Sequence, residues 1–262
     1  MKNIIFLTLK STIKDRIFLI IISMLLLFAS VPVFASFSMR QIQEIAITMS
    51  LTLNSFILLF LAVFGGVATI WRDIERKHTY TILSYPIERY SYFFGRFIGF
   101  AIIMFIVTII NFTVSTFVIN IAASTYKSQL PIIWSSIALA FFMAFLKYVL
   151  LMAFGFFFSA FSTSFFTPFF STIAIYIAGN ASQGIYDYIM KDVDKYSNLF
   201  KSLSKFIYIV FPNFSSFDYT AYATYALDID LNSILISIVY FAVYFTIIST
   251  LSIIIFSKRD MM

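Results

Sequence analysis

One stretch of this sequence gathers many of the side chains that could do chemistry. Between Ile70 and Arg96 stand Arg72, Asp73, Glu75, Arg76, Lys77, His78, Glu88 and Arg89, with hydroxyls at Thr79, Thr81 and Ser84 among them. His78 is the only histidine, and the chain has no cysteine. A zinc site of His and thiolate ligands, a cysteine nucleophile and a disulfide are therefore excluded. Hydrolysis within a membrane would need a Ser/His pair, paired aspartates or a His-Glu-x-x-His helix. Asp187, Asp192, Asp194, Asp218, Asp228 and Asp230 all fall outside the apolar runs, and His78 lacks a second histidine. No Gly-x-x-x-x-Gly-Lys-Ser/Thr occurs, so the chain has no phosphate cradle for ATP. Two readings of the Ile70–Arg96 stretch remain open, a basic loop that fixes topology and a docking element. Bases alone would fix a membrane topology, whereas mixed acids and bases on a short helix suit docking onto another protein.

The other residue with chemical potential is Lys147, a charge inside an apolar run. An intramembrane charge marks a transport path or a structural pair. Counted from Pro131 it lies about 24 Å deep at 1.5 Å per residue, where a lysine can snorkel to the far interface. Met24, Met39, Met49 and Met104 are scattered and form no metal route.

The elements that position these residues follow from composition. Of 262 residues, 61% are hydrophobic and 11% charged. A soluble domain averages roughly 25% charged residues, so lipid is the solvent this surface fits. Six runs reach the ~20 apolar residues a spanning helix needs. They are Ile17–Ala35, Ile45–Trp71, Phe97–Ala122, Pro131–Phe161, Phe165–Ile185 and Leu231–Phe256. Each must be helical, because a lone strand in lipid leaves its backbone groups unpaired. The expected fold is a single domain over 1–262, an all-α polytopic membrane protein with six transmembrane helices.

Charge sets the orientation. Lys2, Lys10, Lys14, Arg16, Arg72, Arg76, Lys77, Arg89, Arg96, Lys258 and Arg259 fall on one side. Arg40, Lys127, Lys191, Lys195, Lys201 and Lys205 fall on the other. The excess places both termini in the cytoplasm. The net charge of +6 is thereby explained without nucleic acid. Residues 3–13 fit a short interfacial helix. A cleaved secretory signal ending near Val33-Phe34-Ala35 is the rival reading of the first run. Asp187 to Lys205 mixes charges with Ile185, Tyr188, Ile189, Leu199, Leu203 and Phe206, an amphipathic outer segment. It serves as a lid on the bundle or as a surface for an extracytoplasmic partner.

Pro86 should end the Ile70 helix at or before Tyr85. Glu75, Thr79 to Leu83, Ser84, Pro86, Arg89, Gly95 and Arg96 resemble the pattern of type 2 ABC transporter permeases (the ABC-2 family). That pattern is an acid, a Thr, a Leu-Ser-x-Pro turn, an Arg, then Gly-Lys entering the third span. Here Arg96 stands for the Lys, and His78 for the Gly that often precedes the Thr. Pro212 to Asp218 and Lys258-Arg259-Asp260 are similar to two weaker elements of the family. The resemblance implies a permease subunit in the cell membrane, paired with a second copy or a paralogue. It implies a coupling helix carrying Arg72, Asp73, Glu75, Arg76, Thr79, Thr81, Leu83, Ser84, Pro86 and Arg89 in a cleft of a separate ATPase. No cofactor is expected in this chain, with ATP and Mg on the partner. Export is the family's usual direction, and the substrate is not readable. The other readings are an ion-coupled secondary transporter and a membrane scaffold.

Overall fold

A computed structural model describes residues 2–13, 23–38, 41–75, 89–125, 128, 130–164, 166–191 and 196–258. Among these residues every element is helical and no strand occurs. Helix α1 is Lys2–Ile13, and α2 is the apolar Ser23–Ser36, whose Leu27–Ser30 turn is a tighter 3-10 helix. Helix α3, Ile42–Phe60, passes through a π-helical stretch, Leu61–Val67, into α4, Ala68–Glu75. Then come α5 (Arg89–Thr125), α6 (Trp134–Phe161) and α7 (Phe166–Lys191). Helix α8 (Asn198–Val210), a 3-10 turn (Phe214–Phe217), α9 (Thr220–Tyr225) and α10 (Leu231–Lys258) complete the chain.

Among the described residues, four helices are long and apolar enough to cross a membrane: Ile42–Val67, Tyr90–Ser124, Trp134–Phe161 and Leu231–Ser257. They correspond to the second, third, fourth and sixth expected spans. The first run is described only from Ser23 onward. The fifth forms α7, which at 26 residues has the length but carries Asn180, Gln183 and Asp187 in its second half. The polar half matters because it packs inward, as described below. Pro168 causes no break, since first-turn N–H groups have no helical partner.

Consecutive long helices alternate in direction. At one end, called the Arg96 end, the start of α5 meets the ends of α4, α6 and α10: Phe93 contacts the rings of Phe156 and Phe256 at 5.5 and 5.2 Å. At the opposite, Trp134 end, Gln43 of α3 donates to the Leu130 carbonyl at 3.1 Å, just before α6. Helix α6 is central, with 67% of its apolar window buried, against 11% for α10. Apolar faces such as Leu235, Ile236, Val239 and Val243 of α10 are exposed, as a lipid-facing helix requires.

Helix α5 starts at Arg89, well before the expected Phe97, because Tyr92, Phe93 and Arg96 are all buried there and anchor the added turns. Helix α1 lies across these turns with Ile4, Thr8 and Thr12 buried, one turn apart on one face. Its Thr8 and Thr12 hydroxyls donate back to the carbonyls of Ile4 (2.8 Å) and Thr8 (2.9 Å). Phe6 and Leu7 on the opposite face are exposed. Gly99 makes this packing close: a Cβ there would sit 2.7 Å from Thr8 Cβ.

Between α8 and α10 the chain folds back into the bundle. Helix α8 packs antiparallel on α7, with Tyr186 and Tyr208 stacked at 4.6 Å. The 3-10 turn then buries Phe214 and Phe217 against α6 and α7. Helix α9 packs on α3, where the Thr48 and Thr224 hydroxyls meet at 3.0 Å. Irregular backbone at such depth must be satisfied locally. Here the Asn213 N–H donates to Tyr240 Oη (2.7 Å), Ser215 N–H to Asn213 Oδ1 (3.1 Å) and Ser237 Oγ to the Ser216 carbonyl (2.9 Å). Helix α9 ends on Ala226 in the left-handed region, with Leu227 N–H closing on the Tyr222 carbonyl. The expected outer segment is thus two parts, an amphipathic α8 and a re-entrant turn.

Gly179 admits this turn. A Cβ there would lie 2.5 Å from both the Pro212 carbonyl oxygen and the Phe214 ring. Backbone cannot yield as a side-chain tip can, so Gly179→Val should expel the turn. The expected result is proteolytic cleavage within 211–226 at protease levels that leave the parent intact. Equal resistance of the two proteins would refute this account of the packing.

Candidate functional site

Two polar constellations interrupt the apolar bundle. The first lies at the Arg96 end. Arg96, on α5, places Nη2 at 2.5 Å from Asp73 Oδ2 on α4, and both side chains are almost wholly buried. Tyr92, one turn before Arg96, donates its hydroxyl to the same Asp73 oxygen at 2.6 Å. Arg96 Nη1 donates to Thr8 Oγ1 of α1 at 3.4 Å, and its guanidinium lies 5.9 Å from the Tyr92 ring centroid. Three helices are therefore locked by one ion pair. The i, i+4 spacing of Tyr92 and Arg96 puts both on the face toward α4. A charge pair this deep is tolerable only with such added hydrogen bonds.

Of the residues expected to couple to a partner, Arg72, Asp73, Glu75 and Arg89 fall on described backbone. Arg72, Asp73 and Glu75 lie on α4, a direct continuation of α3 through the π-helical stretch rather than a separate helix. Asp73 is buried and faces Arg96 and Tyr92. Arg89 opens α5. Arg76, Thr79, Thr81, Leu83, Ser84 and Pro86 lie outside the described residues. So does His78.

The second constellation surrounds Lys147. Helix α6 begins at Trp134, not Pro131, so Lys147 sits at its midpoint, thirteen residues from one end and fourteen from the other. Its Nζ donates to Asn180 Oδ1 of α7 at 2.7 Å and stands 5.7 Å from the ring centroids of Tyr148 and Tyr176. The Tyr148 and Tyr176 hydroxyls are 3.4 Å apart. Asn180 is held in turn: its side-chain amide donates to the Tyr176 carbonyl (2.7 Å), and Ser215 Oγ of the re-entrant turn donates to the Asn180 main-chain carbonyl (2.9 Å). Among the described residues Lys147 is in no ion pair, and Asp218 acts on it only as a charge at longer range. A half-buried ammonium with a neutral partner at mid-helix is costly in hydrocarbon, so this face needs water or protein beside it.

Tyr176 also lines a groove of about 320 Å³ between the α3–π-helical wall and α7. Phe56, Leu59, Phe60, Val63, Phe64, Ile173 and Ile177 complete the lining. The π-helical stretch sets Val63 and Phe64 on this wall, and such stretches recur at functional sites. Gly65 and Gly66 make the wider turn possible by closing on Phe100 and Met152, with no room for a Cβ on either.

Glu44 was not singled out from the sequence. It lies in the first turn of α3, buried, and its Oε1 accepts from Ser128 Oγ while Oε2 has no partner among the described residues. The polar Gln41-Ile42-Gln43-Glu44 start was the available signal, and it reads equally as a helix-end flank. Among the described residues no group of three His, Cys, Asp or Glu side chains could hold a metal. No protein-family model matches the chain, and no curated protein matches it either.

Proposed function

We propose that this chain is the membrane-spanning permease subunit of an ATP-driven ABC-2-type exporter in the cell membrane. On this reading it crosses the membrane six times with cytoplasmic termini, α2 and α7 belonging to the first and fifth spans. It pairs with a second copy or a paralogue and takes its energy from a separate ATPase that binds ATP and Mg. The observation that carries the reading is the buried Asp73–Arg96 pair, joined by Tyr92 and Thr8. It clamps α1, α4 and α5 together at the two ends of the segment whose residues resemble a coupling helix. A push on that segment therefore moves three helices as one body.

The Lys147 face supports the pairing. Its ammonium and the aromatic groove lie on a surface that a lone protomer would show to lipid. A second protomer across this face would enclose a polar path. An ion-coupled transporter or a membrane scaffold would need no ATPase, which makes the decisive experiment simple. The tagged chain should co-purify with an ATPase whose turnover rises on complex formation. Glu75→Lys and Arg89→Glu should each remove that stimulation while leaving membrane insertion intact. Retained stimulation in both variants, or full activity without an ATPase, would overturn the proposal.

A further inference from the structure

A polar island lies between α3 and α5, apart from both sites above. Asn54 and Asn111 are fully buried, and Asn111 Nδ2 donates to Asn54 Oδ1 at 2.8 Å. Ser50 precedes Asn54 by one turn, and Ser115 follows Asn111 by one turn. Because α3 and α5 run antiparallel, the serine rung lies directly beside the asparagine rung, on its Trp134 side. Both serines are buried to within 1%.

Four atoms of this island have no hydrogen-bond partner among the described residues: Ser50 Oγ, Asn54 Nδ2, Asn111 Oδ1 and Ser115 Oγ. The serines are unusual here. Thr108, Ser159 and Thr172, also buried in long helices, donate to carbonyls four residues back. Ser50 and Ser115 do not. The two amides form one hydrogen bond rather than a reciprocal pair, which leaves one donor and one acceptor as they stand or with both amides turned together; turning one alone would break the bond between them. Ile47 and Ile119 seal one side of the island and Met104 lies toward the other, all buried. Orphan polar atoms in such a setting require a ligand.

The ligand's chemistry follows from the inventory. A cation would face the Asn54 N–H donors. A halide would face the Asn111 carbonyl oxygen and find no cationic side chain in the island. Water donates and accepts. We propose that the island is a bound-water site, in which one water joins Asn54 Nδ2 to Asn111 Oδ1 and the Ser50 and Ser115 hydroxyls complete its shell, directly or through a second water. The site belongs to the joint between α3 and α5, the helices that flank residues 76–88. It stands whether or not the chain is a permease.

The sign of a stability change tests it. A hydroxyl bonded to water loses a hydrogen bond on becoming alanine, whereas an orphan hydroxyl in a dry core is better removed. Thermal unfolding of the full chain in lipid nanodiscs would compare Ser50→Ala, Ser115→Ala and the double variant, in sodium chloride and in choline gluconate. Each single variant should lower Tm by ~2–4 °C in both salts. An unchanged or raised Tm would mean a dry island and overturn the proposal. A decrease seen only with sodium or only with chloride would place that ion in the site, and would overturn it too.

Discussion

Arg96→Leu should be among the most damaging single substitutions in this protein. It removes the guanidinium from the buried Asp73 carboxylate, which also accepts from the Tyr92 hydroxyl. Removing one member of a buried ion pair costs about 3–5 kcal/mol, because the remaining charge is uncompensated. At about 2–4 °C per kcal/mol, the melting temperature should fall by roughly 6–20 °C. Asp73→Leu should do the same from the other side. The double variant should recover most of the loss, since an apolar pair in that place strands no charge. Tyr92→Phe removes one hydrogen bond to a carboxylate that keeps its cation, and should cost only about 1.5–3 kcal/mol. Thermal unfolding of the four variants in one detergent measures the coupling. Strictly additive losses in the double variant would show that Asp73 and Arg96 do not act as a pair.

The second large effect is on transport rather than stability. Lys147→Met keeps the length of the side chain and removes its charge. The ammonium is held at mid-helix by a neutral amide, so its loss should leave the fold as stable as before or more so. If the Lys147 face lines the path, the same substitution should reduce transport at least tenfold, about 1.4 kcal/mol in the rate-limiting barrier. Complementation of a deletion strain, read beside the ATPase turnover of the purified complex, separates the two effects. Unchanged transport would leave Lys147 as a structural partner of Asn180 and of the Tyr148–Tyr176 pair.

Much of the helical framework was legible because lipid imposes a simple rule. Four of the six runs, the second, third, fourth and sixth, became helices long and apolar enough to span, with the largest departure at the start of α5, at Arg89 where Phe97 was expected. Helix α7 shows where that rule weakens. Its second half carries Asn180, Gln183 and Asp187, and the first two meet the re-entrant turn, where Ser215 donates to the Asn180 main-chain carbonyl and Asn213 donates to Gln183 Oε1 at 2.6 Å, while Asp187 is exposed and accepts from Gln183. Such pairing joins residues thirty apart and leaves no local periodicity to read. The early start of α5 has the same origin: Tyr92 and Arg96 read as loop polarity until Asp73 is placed against them. Ile132 and Ile133 look helical in the sequence, yet Ile133 is extended and α6 opens only at Trp134. Lys147 is therefore about 4.5 Å closer to the start of its helix than a start at Pro131 would place it, at 1.5 Å per residue.

The re-entrant turn also constrains how the molecule is made. Its backbone and side-chain bonds go to Tyr240 and Ser237 of the last helix and to Asn180 of α7. During synthesis the turn emerges before Tyr240 and Ser237 exist as partners. It cannot settle at depth until α10 is in place, because its amides would otherwise enter hydrocarbon unpaired. Biogenesis should therefore proceed with residues 196–230 held at the membrane surface and tucked in last. A ribosome-released chain truncated before Leu231 should keep that region open to labelling, a late and separable step in maturation.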